Sequence, residues 1–328
     1  MKNLSIGKLR SLQRCMTAGG GLSVLALDHR NNLRNALNPQ HPEKVSDNDL
    51  TDFKLQVTSA LAPYASAVLL DPQFSAFQVI SSAALPPATG LIVALEATGY
   101  SGDAAQRESR ILEGWSVAGA KRMGADAVKL LVYYHPDSPT ASQIERLVQQ
   151  VGEDCDDSDM LFMLEPLTYS IDPQQKKLSG QARRDVIVET ARRLTSLGGD
   201  ILKAEFPLDF QVYPMESDWQ HACRELTRAS AIPWVLLSAS VDYETYERQV
   251  RIACQQGASG VAAGRAVWKE AVEGTPADRR DFLSGIAAHR MASITALVNE
   301  HAAPLNNFYQ AAPISSNSYR NYDQVTLK

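Results

Sequence analysis

Two lysines stand inside strongly apolar runs of this sequence: Lys129 in AVKLLV at 127–132 and Lys203 in ILKAE at 201–205. A lysine so placed snorkels its ammonium to a rim, pairs with a carboxylate, or serves as an amine. One such residue is ordinary, whereas two point to chemistry. In a partly dry pocket beside a second cation, the neutral form of an amine is favoured, and that form attacks carbonyls. Glu165 follows LFML at 161–164, between the two lysines in chain order. It can pass protons while a carbinolamine forms and collapses. A plain ion pair to either lysine would use the same placement. Glu205 lies two residues after Lys203 and so on the same strand face; it is either catalytic or a charge partner.

The elements that must position these groups are legible as eight short apolar runs, at 22–27, 67–70, 91–95, 127–132, 161–164, 201–205, 234–237 and 260–263. Such runs suit strands buried on both faces, as in a parallel sheet. Segments of helical period lie between and after them, at 47–60, 104–123, 141–151, 181–197, 218–228, 243–256 and 277–299. Gly124, the Gly198 and Gly199 pair, and Gly257 supply stop signals. The expected fold is α/β: one (β/α)₈ TIM barrel with an N-terminal helix and an extended C-terminal tail. Residues 1–303 form the barrel and 304–328 the tail, where apolar periodicity gives way to Asn, Ser and Tyr. A doubly wound sheet needs its phosphate glycines after the first strand, but Gly19, Gly20 and Gly21 precede it.

Active sites of such barrels sit at the C-terminal strand ends. Here those ends carry Asp28 and Arg30, Asp71, Glu96, Lys129, Glu165, Lys203, Ser238, and Gly264 with Arg265. Polar groups after every apolar strand point to a convergent site, because burying them without partners or purpose is costly. Strands four and six share parity, so Lys129 and Lys203 belong to neighbouring positions of the interior. Ser238 and AAGR at 262–265 follow strands seven and eight. Loops there commonly bind phosphate through backbone amides, a hydroxyl and a short helix start. Gly264 permits close approach, and Arg265 can clamp phosphate oxygens.

Several function classes are disfavoured. A formal net charge of −5 gives no general reason to bind nucleic acid. The first 21 residues lack a signal-peptide core, and no apolar run approaches the ~20 residues of a membrane span. A cytoplasmic protein with no membrane partner is expected. Cys15, Cys155, Cys223 and Cys254 are scattered, form no CxxC pair and read as reduced thiols. The six histidines include no HExxH and no close pair at metal-ligand spacing. Neither a metal nor an organic cofactor is expected.

The sequence resembles the family containing tagatose 1,6-bisphosphate aldolase and sulfofructose-1-phosphate aldolase. The matching blocks are LALDHRNNLR at 25–34, PYASAVLLDPQF at 63–74, ATGY at 97–100 and AVKLLVYY at 127–134. They continue with LEPLTY at 164–169, DILKAEFP at 200–207, LLSASV at 236–241 and AGRAVW at 263–268. The resemblance implies Lys203 as the Schiff-base lysine, Lys129 and Glu165 as its proton-handling partners, and Asp28 as a ligand of substrate hydroxyls. It implies that Ser238, Ala239, Gly264 and Arg265 hold a 1-phosphate, while Arg30 and Arg34 face a distal anionic group.

His29, also at the substrate, stands where the family usually has glutamine. When protonated it would add positive charge and strengthen a preference for phosphate toward pH 6. LEP at 164–166 and AGRAVW are closer to the sulfofructose enzyme, whereas ATGY and the overall length are closer to the tagatose enzyme. The expected activity is metal-independent (class I) cleavage of tagatose 1,6-bisphosphate to dihydroxyacetone phosphate and glyceraldehyde 3-phosphate. The alternatives are sulfofructose-1-phosphate cleavage to dihydroxyacetone phosphate and sulfolactaldehyde, another Schiff-base lyase, or a catalytically silent sugar-phosphate-binding barrel. The expected partners are a phosphorylated ketose and further copies of the chain, in a dimer or higher homo-oligomer.

Overall fold

Successive side chains of a strand point to opposite faces, so an apolar run fills two compartments at once. In the computed structural model, which describes residues 1–175 and 177–324, the eight runs do so. They form β1 (Leu22–Ala26), β2 (Ala67–Leu70), β3 (Gly90–Ala94), β4 (Ala127–Tyr134), β5 (Leu161–Thr168), β6 (Ile201–Ala204), β7 (Trp234–Leu237) and β8 (Gly260–Ala263). All pair in parallel and in chain order, and β8 returns to β1 to close the barrel. One set of side chains, including Val24, Leu69, Ile92, Met163, Ile201, Val235 and Ala262, packs the lower barrel interior. The alternate set, including Leu25, Val68, Val93, Val128, Phe162, Leu202 and Leu236, packs outward with the surrounding helices. Each such buried Val, Leu, Ile, Met or Phe side chain contributes about 1.5–3 kcal/mol.

The floor is sealed by both ends of the chain. Helix Ile6–Cys15 starts on Ser5, whose hydroxyl accepts from the Lys8 N–H, and it places Leu12 and Cys15 in the inner core. Lys8 is buried there against Asp156 (2.5 Å) and Asp200 (3.0 Å). After Pro304 the chain crosses the same face, burying Leu305 and Tyr309. Its strand Tyr309–Ala311 pairs in parallel with Lys2–Leu4. The last part of the expected tail, residues 325–328, lies outside the described residues. Among the described residues no helix is long and apolar enough to cross a membrane.

One expected helix is corrected. The segment 104–123 is helical only over Val117–Met123, where Ser116 caps the start by accepting from the Gly119 N–H. Before it, Ser101–Asp103 and Gln106–Glu108 form an antiparallel hairpin. Within the segment Gly114 takes a positive φ of 72°, which a continuous right-handed helix does not accommodate. β4 and β5 also extend beyond their apolar cores, staying paired through Tyr134 and Thr168. The hairpin and these strand extensions raise one wall of the barrel mouth.

Candidate active site

The inward parity that fills the floor with apolar groups continues upward into charge. Along β4 it runs Ala127, Lys129, Leu131, Tyr133, and along β5 Leu161, Met163, Glu165, Leu167. Leu131 pairs with Glu165, so Lys129 lies one pleat lower and sends its stem up toward the carboxylate. Above this layer opens a cavity of about 480 Å³. It is lined by Asp28, His29, Arg30, Glu96, Glu165, Lys203, Glu205, Ser238, Ala239, Gly264 and Arg265, among others.

Lys203 Nζ lies 2.8 Å from Glu165 Oε1, and Lys129 Nζ lies 3.1 Å from Glu165 Oε2. One carboxylate therefore bridges both amines. Lys129 is fully buried and also meets Asp28 at 2.7 Å and Glu96 at 2.5 Å. Burial alone would lower its pKa, but the charges of Asp28, Glu96 and Glu165 override it and hold the ammonium well above the ordinary lysine value. Burial would raise Asp28 in turn, yet Lys129 and Lys203 keep it well below the usual carboxylate range. The layer is thus an ion network in which Lys129 is a fixed cation. Lys203 reaches the cavity wall; Lys129 lies beneath it.

Glu96 is a member that residue types alone did not single out beyond its strand-end position. The Leu131 N–H donates to its Oε2 (3.0 Å). Arg30 Nη2 donates to its carbonyl oxygen (2.7 Å), and Arg30 Nη1 donates to Gln73 Oε1 (3.0 Å). Gln73 sits in a turn built on Asp71, which accepts from the Gln73 and Phe74 N–H groups and pairs with buried Lys54. The choice left open for Glu205 falls toward structure. Its two oxygens are taken by Arg183 (3.1 Å) and by the Thr168 N–H and hydroxyl (2.8 and 2.7 Å).

At the β7 and β8 ends, the Gly264 N–H donates to Ser238 Oγ (3.1 Å), tying the two loops together. Ala239 and Ser240 both take positive φ, 42° and 63°. Such a conformation costs non-glycine residues about 1–2 kcal/mol each. Arg265 is half-buried beside them; burial lowers its guanidinium pKa and Asp28 opposes that shift. This corner can receive an anion.

Two expectations change. Arg34 does not line the cavity: its guanidinium binds the Val45 carbonyl and Asp47, and lies over Phe74. His29 does line it, packed edge-on against Trp268. Burial pushes its pKa down to about 3, so it stays neutral through pH 6 and adds no charge there.

A profile of the DeoC/LacD family aldolases matches residues 22–270, from the first strand through the loop after the last. The chain belongs to this aldolase family. The matched span contains Lys129, Ser238 and Arg265. A Listeria monocytogenes tagatose 1,6-diphosphate aldolase is 30% identical over 328 residues, covering 93% of this chain and 95% of the relative. The corresponding protein of Staphylococcus haemolyticus is 32% identical over 284 residues, covering 81% and 86%. A solved Schiff base forming fructose-1,6-bisphosphate aldolase superposes with a TM-score of 0.60 at 19% identity, covering 89% of this aldolase and 99% of that one. At that identity the superposition speaks to the barrel alone.

Proposed function

We propose that the chain is a class I aldolase that cleaves tagatose 1,6-bisphosphate to dihydroxyacetone phosphate and glyceraldehyde 3-phosphate. The observation that carries the reading is the Lys203–Glu165 contact at the foot of the cavity, with Lys129 fixed as a cation behind it. The names of the Listeria and Staphylococcus relatives support the substrate.

The ketose binds open-chain, its 1-phosphate in the corner of Ser238, Ala239, Gly264 and Arg265. Lys203 gives a proton to Glu165, and its free amine adds to C2 to form a carbinolamine. Glu165 returns the proton to the C2 hydroxyl, which leaves as water, and an iminium remains. Asp28, held by Lys129, accepts a hydrogen bond from a substrate hydroxyl and orients the chain. Glu165, again a carboxylate, takes the C4 hydroxyl proton as the C3–C4 bond breaks and its electron pair moves into the iminium, giving an enamine. Glyceraldehyde 3-phosphate departs. Glu165 gives that proton to C3, and hydrolysis of the resulting iminium releases dihydroxyacetone phosphate and regenerates Lys203. The three carboxylates around Lys129 favour its ammonium form, which supports Lys203 as the attacking amine.

The test is cleavage of tagatose 1,6-bisphosphate in the presence of EDTA, with borohydride trapping by dihydroxyacetone phosphate and peptide mass mapping. A stable adduct on Lys203 is expected. No adduct, or activity lost to EDTA and restored by zinc, overturns the proposal.

A further inference from the structure

The four buried tyrosines each spend their hydroxyl inside the fold. Tyr134 donates to Glu145, Tyr169 to Ser138, Tyr246 to the Leu236 carbonyl and Tyr309 to the Asp200 carbonyl. Tyr133 differs. It is half-buried on the cavity wall, and among the described residues its hydroxyl has no hydrogen-bond partner. A donor kept free of protein acceptors beside a reacting centre is suited to an acceptor on the substrate. Resting on the aldolase reading, we propose that Tyr133 is a further catalytic residue, whose phenol donates a hydrogen bond to the C4 oxygen of the ketose and stabilises the negative charge that builds there as the C3–C4 bond breaks.

Its position follows from strand register. Tyr133 stands on the inward column of β4, two residues beyond Leu131, and Leu131 pairs with Glu165. The tyrosine is therefore one inward step, about 7 Å, above the Glu165 backbone. The Glu165 carboxylate in turn lies 2.8 Å from Lys203 Nζ. A ketose joined to Lys203 at C2 has C4 two bonds farther on, beside the carboxylate that takes its hydroxyl proton. The phosphate corner belongs to β7 and β8, across the barrel from β4. A ketose anchored there by C1 and turned at C2 thus carries C4 toward the β4 wall. The charges that bear on the phenol are those of the same layer, Glu165, Glu96 and Lys129, together with Arg107.

The ring is pinned by the neighbouring hairpin. Tyr100 meets it edge-on at 5.1 Å between ring centres, and the Arg107 guanidinium carbon lies 5.5 Å from its centre. The Tyr133 N–H donates to Ser109 Oγ (2.9 Å), just past the hairpin. A donor fixed in this way needs no reorganisation when charge develops in front of it. Burial raises the phenol's pKa and Arg107 opposes the shift, so the group is a neutral O–H near pH 7. Tyr133 keeps its proton throughout. Glu165 removes the C4 hydroxyl proton, the C3–C4 electron pair passes into the iminium, and the phenol contributes a hydrogen bond alone. In the reverse direction the same bond polarises the aldehyde carbonyl for attack by the enamine.

The test is Tyr133→Phe, which removes the hydroxyl and keeps the ring that Tyr100 and Arg107 grip. Single-turnover cleavage of saturating tagatose 1,6-bisphosphate should slow at least ~10-fold, the scale of one hydrogen bond to a developing charge. Two half-reactions that involve no C4 oxygen should keep their wild-type rates. These are borohydride trapping of dihydroxyacetone phosphate on Lys203 and exchange of that triose's C3 proton with solvent. A purely structural role would slow all three together, and such a uniform loss overturns the proposal. So does an unchanged cleavage rate, or a change confined to the concentration that half-saturates the enzyme. Should the Phe protein not fold, the same three rates are read on Tyr133→Met. An adduct on wild-type Lys203 with unchanged cleavage in the variant sinks Tyr133 alone, whereas no adduct in wild type sinks the aldolase reading as well.

Discussion

Lys203 and Glu165 sit on adjacent strands with their charged atoms 2.8 Å apart, and the other oxygen of Glu165 faces Lys129. The carboxylate is therefore shared between an amine open to the cavity and one sealed below it. In the proposed reaction, that asymmetry separates the nucleophile from a fixed charge without any difference in residue type.

Lys203→Met should abolish borohydride trapping, since it removes the amine that faces the cavity. Lys129→Met should slow turnover by roughly 10²–10⁴-fold, the range of acid–base contributions, while trapping persists at a reduced rate. Labelling of Lys129 in the Lys203→Met protein would reverse the assignment.

Arg30 holds Glu96, and Glu96 holds Lys129. Arg30→Ala should accordingly lower kcat by about 10-fold or more, with a smaller change in KM and the same preference between one and two anionic groups. A rise in KM for the bisphosphate at unchanged kcat would instead put Arg30 at the distal anion.

His29 makes the fold acid-sensitive. The unfolded chain takes up a proton near the ordinary histidine value of about 6.5, whereas the folded protein resists it until about 3. Unfolded chains thus bind more protons in this window, and stability is lost as pH falls from about 6.5 toward 3. His29→Gln should flatten the decline of Tm between pH 6.5 and 4. An equally steep decline in the variant would show that other groups carry it.

Gly260 sits at the seam where β8 meets β1, with φ at 141° and the position of an added Cβ only 1.9 Å from the Leu22 carbonyl oxygen. Neither backbone can withdraw without opening the barrel. Gly260→Ala should cost more than ~2 kcal/mol, read as a lower urea midpoint or as insoluble protein. A wild-type midpoint would mean that the seam is compliant.

The barrel and its lysines were legible because a parallel strand buried on both faces leaves a dense apolar signature, against which Lys129 and Lys203 stand out. Glu96 was visible as a strand end, but nothing in its neighbours reveals that a lysine stem from the next strand reaches it. The hairpin at 101–108 was hidden by its own segment, since AAQRESRILEGW reads as helical. The hairpin is instead fixed by Gly102, by Asp103 accepting from the Ala105 N–H (2.8 Å) and by the tyrosines of β4 and the turn after β5. Arg34 shows the converse. It follows the right strand, yet it lies in helix Asn31–Leu37 and is captured by Asp47 at the start of the following long helix, Asp47–Leu61.

The pairing of Lys2–Leu4 with Tyr309–Ala311 beneath the floor has a practical corollary. A tether or fusion partner attached through either of these segments leads off the underside, a full barrel length from the solvent-facing mouth. The protein can be strung into multi-enzyme arrays or fixed to a solid support by that face while its sugar still arrives unobstructed from above.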